Sequence, residues 1–179
     1  YPESFFGKKV WHLDRRAPHP RALKEAVSIL SSAQKPLIVA GGGVHYSQAA
    51  ETLRGFAETF GIPVSETQAG KSAMSWKDPM SVGAVGVTGT SAANLLAKAA
   101  DVVLVVGSRL QDFTTGSKQI FASDVKLLHL NVSKFDGLKM DSIMLQADAK
   151  SGLESLSEEL RKAKFQTSAE YRGCVSQLQ

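Results

Sequence analysis

Three consecutive glycines, Gly41-Gly42-Gly43, close a short apolar run, Ile38-Val39-Ala40, and an amphipathic helical pattern follows them. A strand that enters a tight glycine turn and then a helix presents backbone N–H groups to a ligand, a phosphate above all. The layout recurs where Val102–Val106 runs into Gly107-Ser108-Arg109. Two such turns in one small domain describe a nucleotide-type crevice. The dinucleotide fingerprint G-x-G-x-x-G needs a third glycine, and that place in Gly41-Gly42-Gly43-Val44-His45-Tyr46 is taken by Tyr46. Its bulk opposes close helix–strand packing. The glycines therefore read either as a ligand cradle or as a sharp turn of the chain.

Other chemistry is sparse. Gly70-Lys71-Ser72 has the ending of a P-loop, but Ser65 stands where the required earlier glycine should be. His12, His19, His45 and His129 form no i, i+4 pair, and Cys174 stands alone, so neither a metal site nor an internal disulfide is expected. No G-x-S-x-G elbow is present. No residue is singled out as catalytic. Arg109 and Asp112 flank a loop, residues 112–118, dense in hydrogen-bonding groups. A structural ion pair between them is the expectation, ahead of a direct catalytic role.

A chain of 179 residues fits one domain, and 43% hydrophobic with 21% charged residues is ordinary for a soluble globule. The formal net charge of +4 is spread along the chain, with no basic run interleaved with aromatics, so no nucleic-acid partner is expected. No apolar run reaches the roughly 18 residues of a membrane span. A lone cysteine fits a reducing, cytoplasmic compartment. The opening Tyr1-Pro2-Glu3-Ser4 is neither a start methionine nor a signal peptide, and the chain reads as a cut-out of something longer.

Strand and helix patterns alternate. Leu23, Ala26, Val27 and Leu30 predict a helix over 20–33. Strands follow at 37–40 and Val64–Glu66, around a helix over 47–60 that Gly61 ends. Residues 68–79 read as loop and 82–87 as a short strand. Thr90 caps a helix over 91–100. Val102–Val106, 126–130 and Ile143–Gln146 complete the strands, and Asp148 caps a last helix carrying Leu153, Leu156 and Leu160. Such alternation implies an α/β, doubly wound, mostly parallel Rossmann-like sheet of five to six strands, in spatial order 3-2-1-4-5-6. The two glycine turns then face each other at the carboxyl ends of the strands. Residues 1–19 read as an incoming linker, 20–163 as the domain and 164–179 as a linker outward.

The segments Pro36-Leu37-Ile38-Val39-Ala40-Gly41-Gly42-Gly43-Val44, Gly83-Ala84-Val85-Gly86-Val87-Thr88-Gly89-Thr90, Ala93-Asn94 and the run from Ala100 to Arg109 resemble, in order, the central domain of thiamine-diphosphate enzymes, the acetolactate synthase and pyruvate decarboxylase superfamily. The resemblance covers roughly residues 21–160. Within it, 66–72 and 112–118 are similar to a branch of hydrolases that open a cyclic 1,2-diketone in inositol catabolism. The resemblance implies that thiamine diphosphate and magnesium are held by flanking pyrimidine- and diphosphate-binding domains, through a Gly-Asp-Gly motif. This chain has none: Phe135 precedes Asp136-Gly137. It further implies a homo-oligomeric parent and an isolated domain without activity. Some relatives bind FAD here; by resemblance Gly107 and Arg109 match phosphate contacts and Asp148 a further polar contact. Asn131 stands where an acid normally holds the ribose. The implied crevice, built from Gly41, Gly42, Gly43, Gly107, Arg109, Asn131 and Asp148, is a vestigial support, with an FAD- or nucleotide-binding module as the alternative.

Overall fold

Val102–Val106, four valines and a leucine, is buried along its whole length. A strand without a polar face belongs between two helical layers. A computed structural model, which describes residues 1–12 and 14–179, places it inside one six-stranded sheet whose strands all run parallel. The strands are β1 (Pro36–Ala40), β2 (Val64–Glu66), β3 (Ser81–Ala84), β4 (Val102–Val106), β5 (Lys126–Asn131) and β6 (Ile143–Gln146). Their order is β3-β2-β1-β4-β5-β6, the doubly wound order expected from the alternation. β1 and β4 pair from Pro36↔Val102 to Ala40↔Val106. Gly41 and Gly107 therefore leave the sheet side by side at its carboxyl edge.

The helices are α1 (Pro20–Ser32), α2 (Gly43–Tyr46), α3 (Ala50–Phe60), α4 (Ser91–Ala99), α5 (Asp112–Thr115), α6 (Lys134–Leu138), α7 (Ala149–Lys162) and α8 (Ala169–Leu178). Alternate strand residues feed two cores. Ile38, Ala40, Leu104, Val106, Leu128 and Leu130 meet α1, α3 and α7. Leu37, Val39, Val103 and Val105 meet Leu96 and Ala97 of α4 with Tyr171 and Val175 of α8. The Thr90 and Asp148 side chains accept from the first-turn N–H groups of α4 and α7, as their residue types predict.

Several elements differ from the sequence expectation, each for a local reason. The helix expected over 47–60 starts at Ala50, because Gln48 sits in a left-handed conformation (φ 53°) and Ser47 is bonded elsewhere. The strand expected over 82–87 ends at Ala84, because the Asn94 amide brackets the Gly86 N–H and carbonyl at 3.0 and 2.9 Å. α5 and α6 span one turn each, too short for a periodic signal. Residues 164–179, expected as linker, carry α8 folded onto the domain. Its Tyr171 hydroxyl donates to the Pro36 carbonyl at 2.9 Å, and Thr167 Oγ1 donates to the Gly61 carbonyl at 2.9 Å. Residues 1–12 are exposed, and Leu13 of the incoming segment lies outside the described residues.

A Cβ on Gly41 would stand 2.4 Å from the Gly107 carbonyl oxygen, whereas one on Gly55 in α3 would meet nothing within 4 Å. Gly41→Ala is expected to destabilise the chain by about 1–3 kcal/mol. Gly55→Ala is expected to stabilise it by about 0.5–1 kcal/mol. Urea unfolding of both variants checks this; equal midpoints would show that the two turns can move apart.

Candidate functional site

The carboxyl edge between β1 and β4 is the switch point of the sheet, where folds of this order place ligands. There the two glycine turns are stitched together. Gly41 N donates to Val106 O at 2.8 Å, Gly43 N to Gly107 O at 2.9 Å and Gly107 N to Leu130 O at 2.9 Å. A Cβ on Gly43 would lie 2.6 Å from Gly107 Cα. Val44 N and His45 N close α2 onto Gly41 O and Gly42 O. Three of the N–H groups that could cradle a phosphate, those of Gly41, Gly43 and Gly107, are thus spent inside the fold. Tyr46 does not disturb this packing, because α2 lasts one turn and the ring is 93% exposed.

Two adjoining clefts open above this stitch. One, about 560 Å³, is lined by Gly43, Gly107, Asn131, Asp148 and Arg15. The other, about 520 Å³, adds Gly42, Arg109, Gln68, Gln111 and Asp136 around the same Gly43, Gly107 and Asn131. Of the residues expected to build the crevice, the structure brings all but Gly41 to these walls; Gly41 is buried beneath them.

Arg109 departs from its expected pairing. Its guanidinium faces the Gln111 side-chain amide. Asp112 instead begins α5. The turn carrying Arg109 is fixed from below. The Ser108 carbonyl accepts from Asn131 Nδ2 at 3.0 Å and from His129 Nε2 at 2.5 Å. Ser108 Oγ accepts from Leu110 N at 3.1 Å, and buried Leu110 is left-handed at φ 48°. His129 was not singled out by its sequence spacing. Its one signal is a titratable side chain in the middle of an apolar strand, and here it is fully buried. With Nε2–H committed to Ser108, Nδ1 faces Ser142 Oγ at 3.5 Å, whose own proton goes to Gly137 O at 2.6 Å. Burial drives the His129 pKa below its ordinary value, against the Ser108 bond that raises it.

Asp148 sits at the other end of the crevice. Its carboxylate accepts from Lys150 N, Ser151 N and Arg15 Nη1 at 3.1–3.2 Å and from Ser47 Oγ at 2.7 Å. Partial burial works to raise its pKa, but the Ser47, Ser151 and Arg15 donors outweigh it and hold the carboxyl below the usual range. Glu66, also unflagged by spacing, accepts from Met74 N at 2.7 Å and Ser72 N at 3.2 Å and so shapes the loop beside the second cleft. Among the described residues, His, Cys, Asp and Glu side chains form no group of three placed to hold a metal.

The family described as thiamine pyrophosphate enzyme, central domain, matches residues 23–156. The chain is similar to the 3D-(3,5/4)-trihydroxycyclohexane-1,2-dione hydrolase of Geobacillus thermodenitrificans, 49% identical over 89% of this chain and 25% of that protein. The hydrolase of the same description from Clostridium tetani is 46% identical over 95% of this chain and 27% of its own length. That from Bacillus cereus is 46% identical over 94% and 26%. The chain thus spans about a quarter of the length of these relatives.

The buried His129 makes stability depend on pH. The unfolded histidine takes a proton near pH 6.5, the folded one only at lower pH, so the unfolded state binds more protons in between. Stability is therefore full above about pH 6.5 and declines below it. His129→Leu is expected to cost about 1–3 kcal/mol at pH 8, through the lost bond to Ser108, and to flatten the slope below about pH 6.5. Urea titrations across that range check both; an unchanged slope in the variant would remove His129 as its source.

Proposed function

The chain belongs to the thiamine pyrophosphate enzyme central-domain family, and from that membership we propose that it is the supporting central domain of a hydrolase that opens the ring of trihydroxycyclohexane-1,2-dione in inositol catabolism. The observation that carries this reading is identity of 46–49%, over nearly the whole chain, to hydrolases of that description. Ring opening here is a C–C bond hydrolysis, for which bound thiamine diphosphate supplies carbanion stabilisation.

The residues of this chain do not fit that cofactor. A diphosphate with its magnesium needs carboxylate ligands and free N–H donors; the Gly41, Gly43 and Gly107 N–H groups are bonded within the fold, and among the described residues no three His, Cys, Asp or Glu side chains are placed to hold a metal. Cofactor and metal are therefore assigned to flanking pyrimidine- and diphosphate-binding domains of a cytoplasmic homo-oligomeric parent. The flavin alternative is less well supported: Asn131 is committed to Ser108 and Ser133, and Asp148 to its helix and Arg15. In this proposal Gly41, Gly42, Gly43 and Gly107 form the crevice floor, Asn131 and Asp148 brace its walls, and Arg109 presents the polar loop 112–118 to the neighbouring domains. Large exposed apolar side chains border the same edge: Tyr46, Phe113 and Val132 on the cleft walls, and Val87, bonded through its N–H to the Phe113 carbonyl. A rim of this kind is what a docking face needs.

Calorimetric titration of the chain with thiamine diphosphate and magnesium is expected to give no micromolar binding, and preparations to show no flavin absorbance; either would sink the assignment of the cofactors to other domains. In the full-length enzyme Arg109→Ala is expected to lower kcat/KM about tenfold, or about 1.4 kcal/mol. The same change should shift the melting temperature of the chain little, because Arg109 is exposed and makes no ion pair among the described residues.

A further inference from the structure

Gly116, Ser117 and Lys118 are left-handed in succession, with φ of 53°, 54° and 68°. The other residues of positive φ among the described residues occur singly. Residues with a Cβ rarely adopt this conformation. Ser117 and Lys118 are exposed, so no packing of their side chains demands it. The bonds around Thr115 do. Thr115 is fully buried. Its hydroxyl accepts from Lys118 N at 3.0 Å and donates to Gln111 O at 3.2 Å. Its carbonyl accepts from Gln119 N at 2.9 Å and from Ile120 N at 3.0 Å. One residue thus ties the entry of α5 to its exit.

The bracket has a second end. Phe113, on α5, lines the second cleft and is 66% exposed. Its carbonyl accepts from the N–H of Val87 at 2.9 Å, and Val87 is 63% exposed. Gly86 makes this approach possible, since a Cβ there would overlap the Phe113 carbonyl. Gly86 is itself held through its N–H and its carbonyl by the Asn94 amide. Two loops that leave different strands therefore meet in one backbone bond. Each is secured behind that bond by a polar side chain, Thr115 on one side and Asn94 on the other.

We propose that Thr115 is a positioning residue: by locking the left-handed turn at 116–118 it fixes α5 against residues 86–87, and so sets Phe113 and Val87 as one rigid lip of the second cleft. The proposal rests on the reading of that edge as the face turned to the neighbouring domains of the parent. A lip ordered beforehand lets another domain dock without the cost of ordering the loop. Strained backbone held in place by the surrounding bonds is what such a segment requires.

The test compares Thr115→Val, which keeps the shape and loses the hydroxyl, with Thr115→Ser, which keeps the hydroxyl. Hydrogen exchange is read at the Val87 amide, with the Thr167 amide, bonded to Phe60 O just ahead of β2, as reference. Valine is expected to speed exchange at Val87 about tenfold and to leave Thr167 unchanged, and serine to retain the protection. In the full-length enzyme valine should lower kcat/KM about tenfold, and serine should leave it near wild type. An unchanged Val87 rate in Thr115→Val would overturn the bracket, as would equal acceleration at Thr167. Faster Val87 exchange with unchanged kcat/KM would overturn the role of the lip. A wild-type full-length enzyme without ring-opening activity removes the hydrolase reading alone, and the exchange rates still decide the bracket.

Discussion

The contact on which the rest of the structure depends is the passage of one backbone over another at Gly41, Gly43 and Gly107. β1 and β4 are paired in register, so their carboxyl ends arrive together and must turn apart within two or three residues. A side chain on either turn would overlap the other backbone: the built Cβ distances of 2.4–2.6 Å are closer than real Cβ atoms approach. Gly70 adds a third constraint, because its Cβ would fall 2.1 Å from Ala40 O. Three chain segments thus converge on one point at the centre of the sheet. The crevice is what remains above that point, and its shape follows from how tightly the segments close.

The same convergence explains why the crevice is chemically quiet. A glycine turn binds phosphate when its N–H groups point outward and lack partners. Here Gly41 N and Gly43 N bind the neighbouring turn, and Gly107 N binds β5. The polar side chains around them are drawn into the same work: His129 and Asn131, on one face of β5, both donate to Ser108 O. Among the described residues no buried side-chain nitrogen or oxygen is left without a partner. A closed ledger of hydrogen bonds rigidifies a scaffold, and it leaves little for a ligand to satisfy.

Most of the architecture was legible in the sequence because it rests on periodicity. Apolar alternation, proline and glycine stops and the unbroken Val102–Val106 run specify six strands, and the right-handed crossover rule orders them. The reach of side chains across the fold was not legible. Asp148 was readable as a helix cap, a bond within two or three residues, but not as the partner of Arg15, 133 residues away. Arg109 and Asp112 are near in sequence, yet the left-handed Leu110 between them turns Arg109 toward Gln111. α8 escaped notice because only Tyr171 and Val175 of its residues are buried, too few to print a stripe on a polar segment.

Tyr46 shows how a departure from a motif can report a change of role. In the dinucleotide fingerprint the third glycine lets a long helix run close beside the strand, and the aligned dipoles of that helix favour the pyrophosphate. A tyrosine there is tolerable only if the helix is abandoned. It is: α2 ends at Tyr46, Gln48 reverses the chain through a left-handed residue, and α3 begins afresh at Ala50. A single turn carries little macrodipole, so the site loses its anion preference together with its close packing. The exposed ring is then free to stand at the cleft mouth beside Phe113 and Val132. Tyr46 in place of the third glycine thus goes together with a one-turn helix that favours no phosphate and with an apolar edge at the cleft mouth.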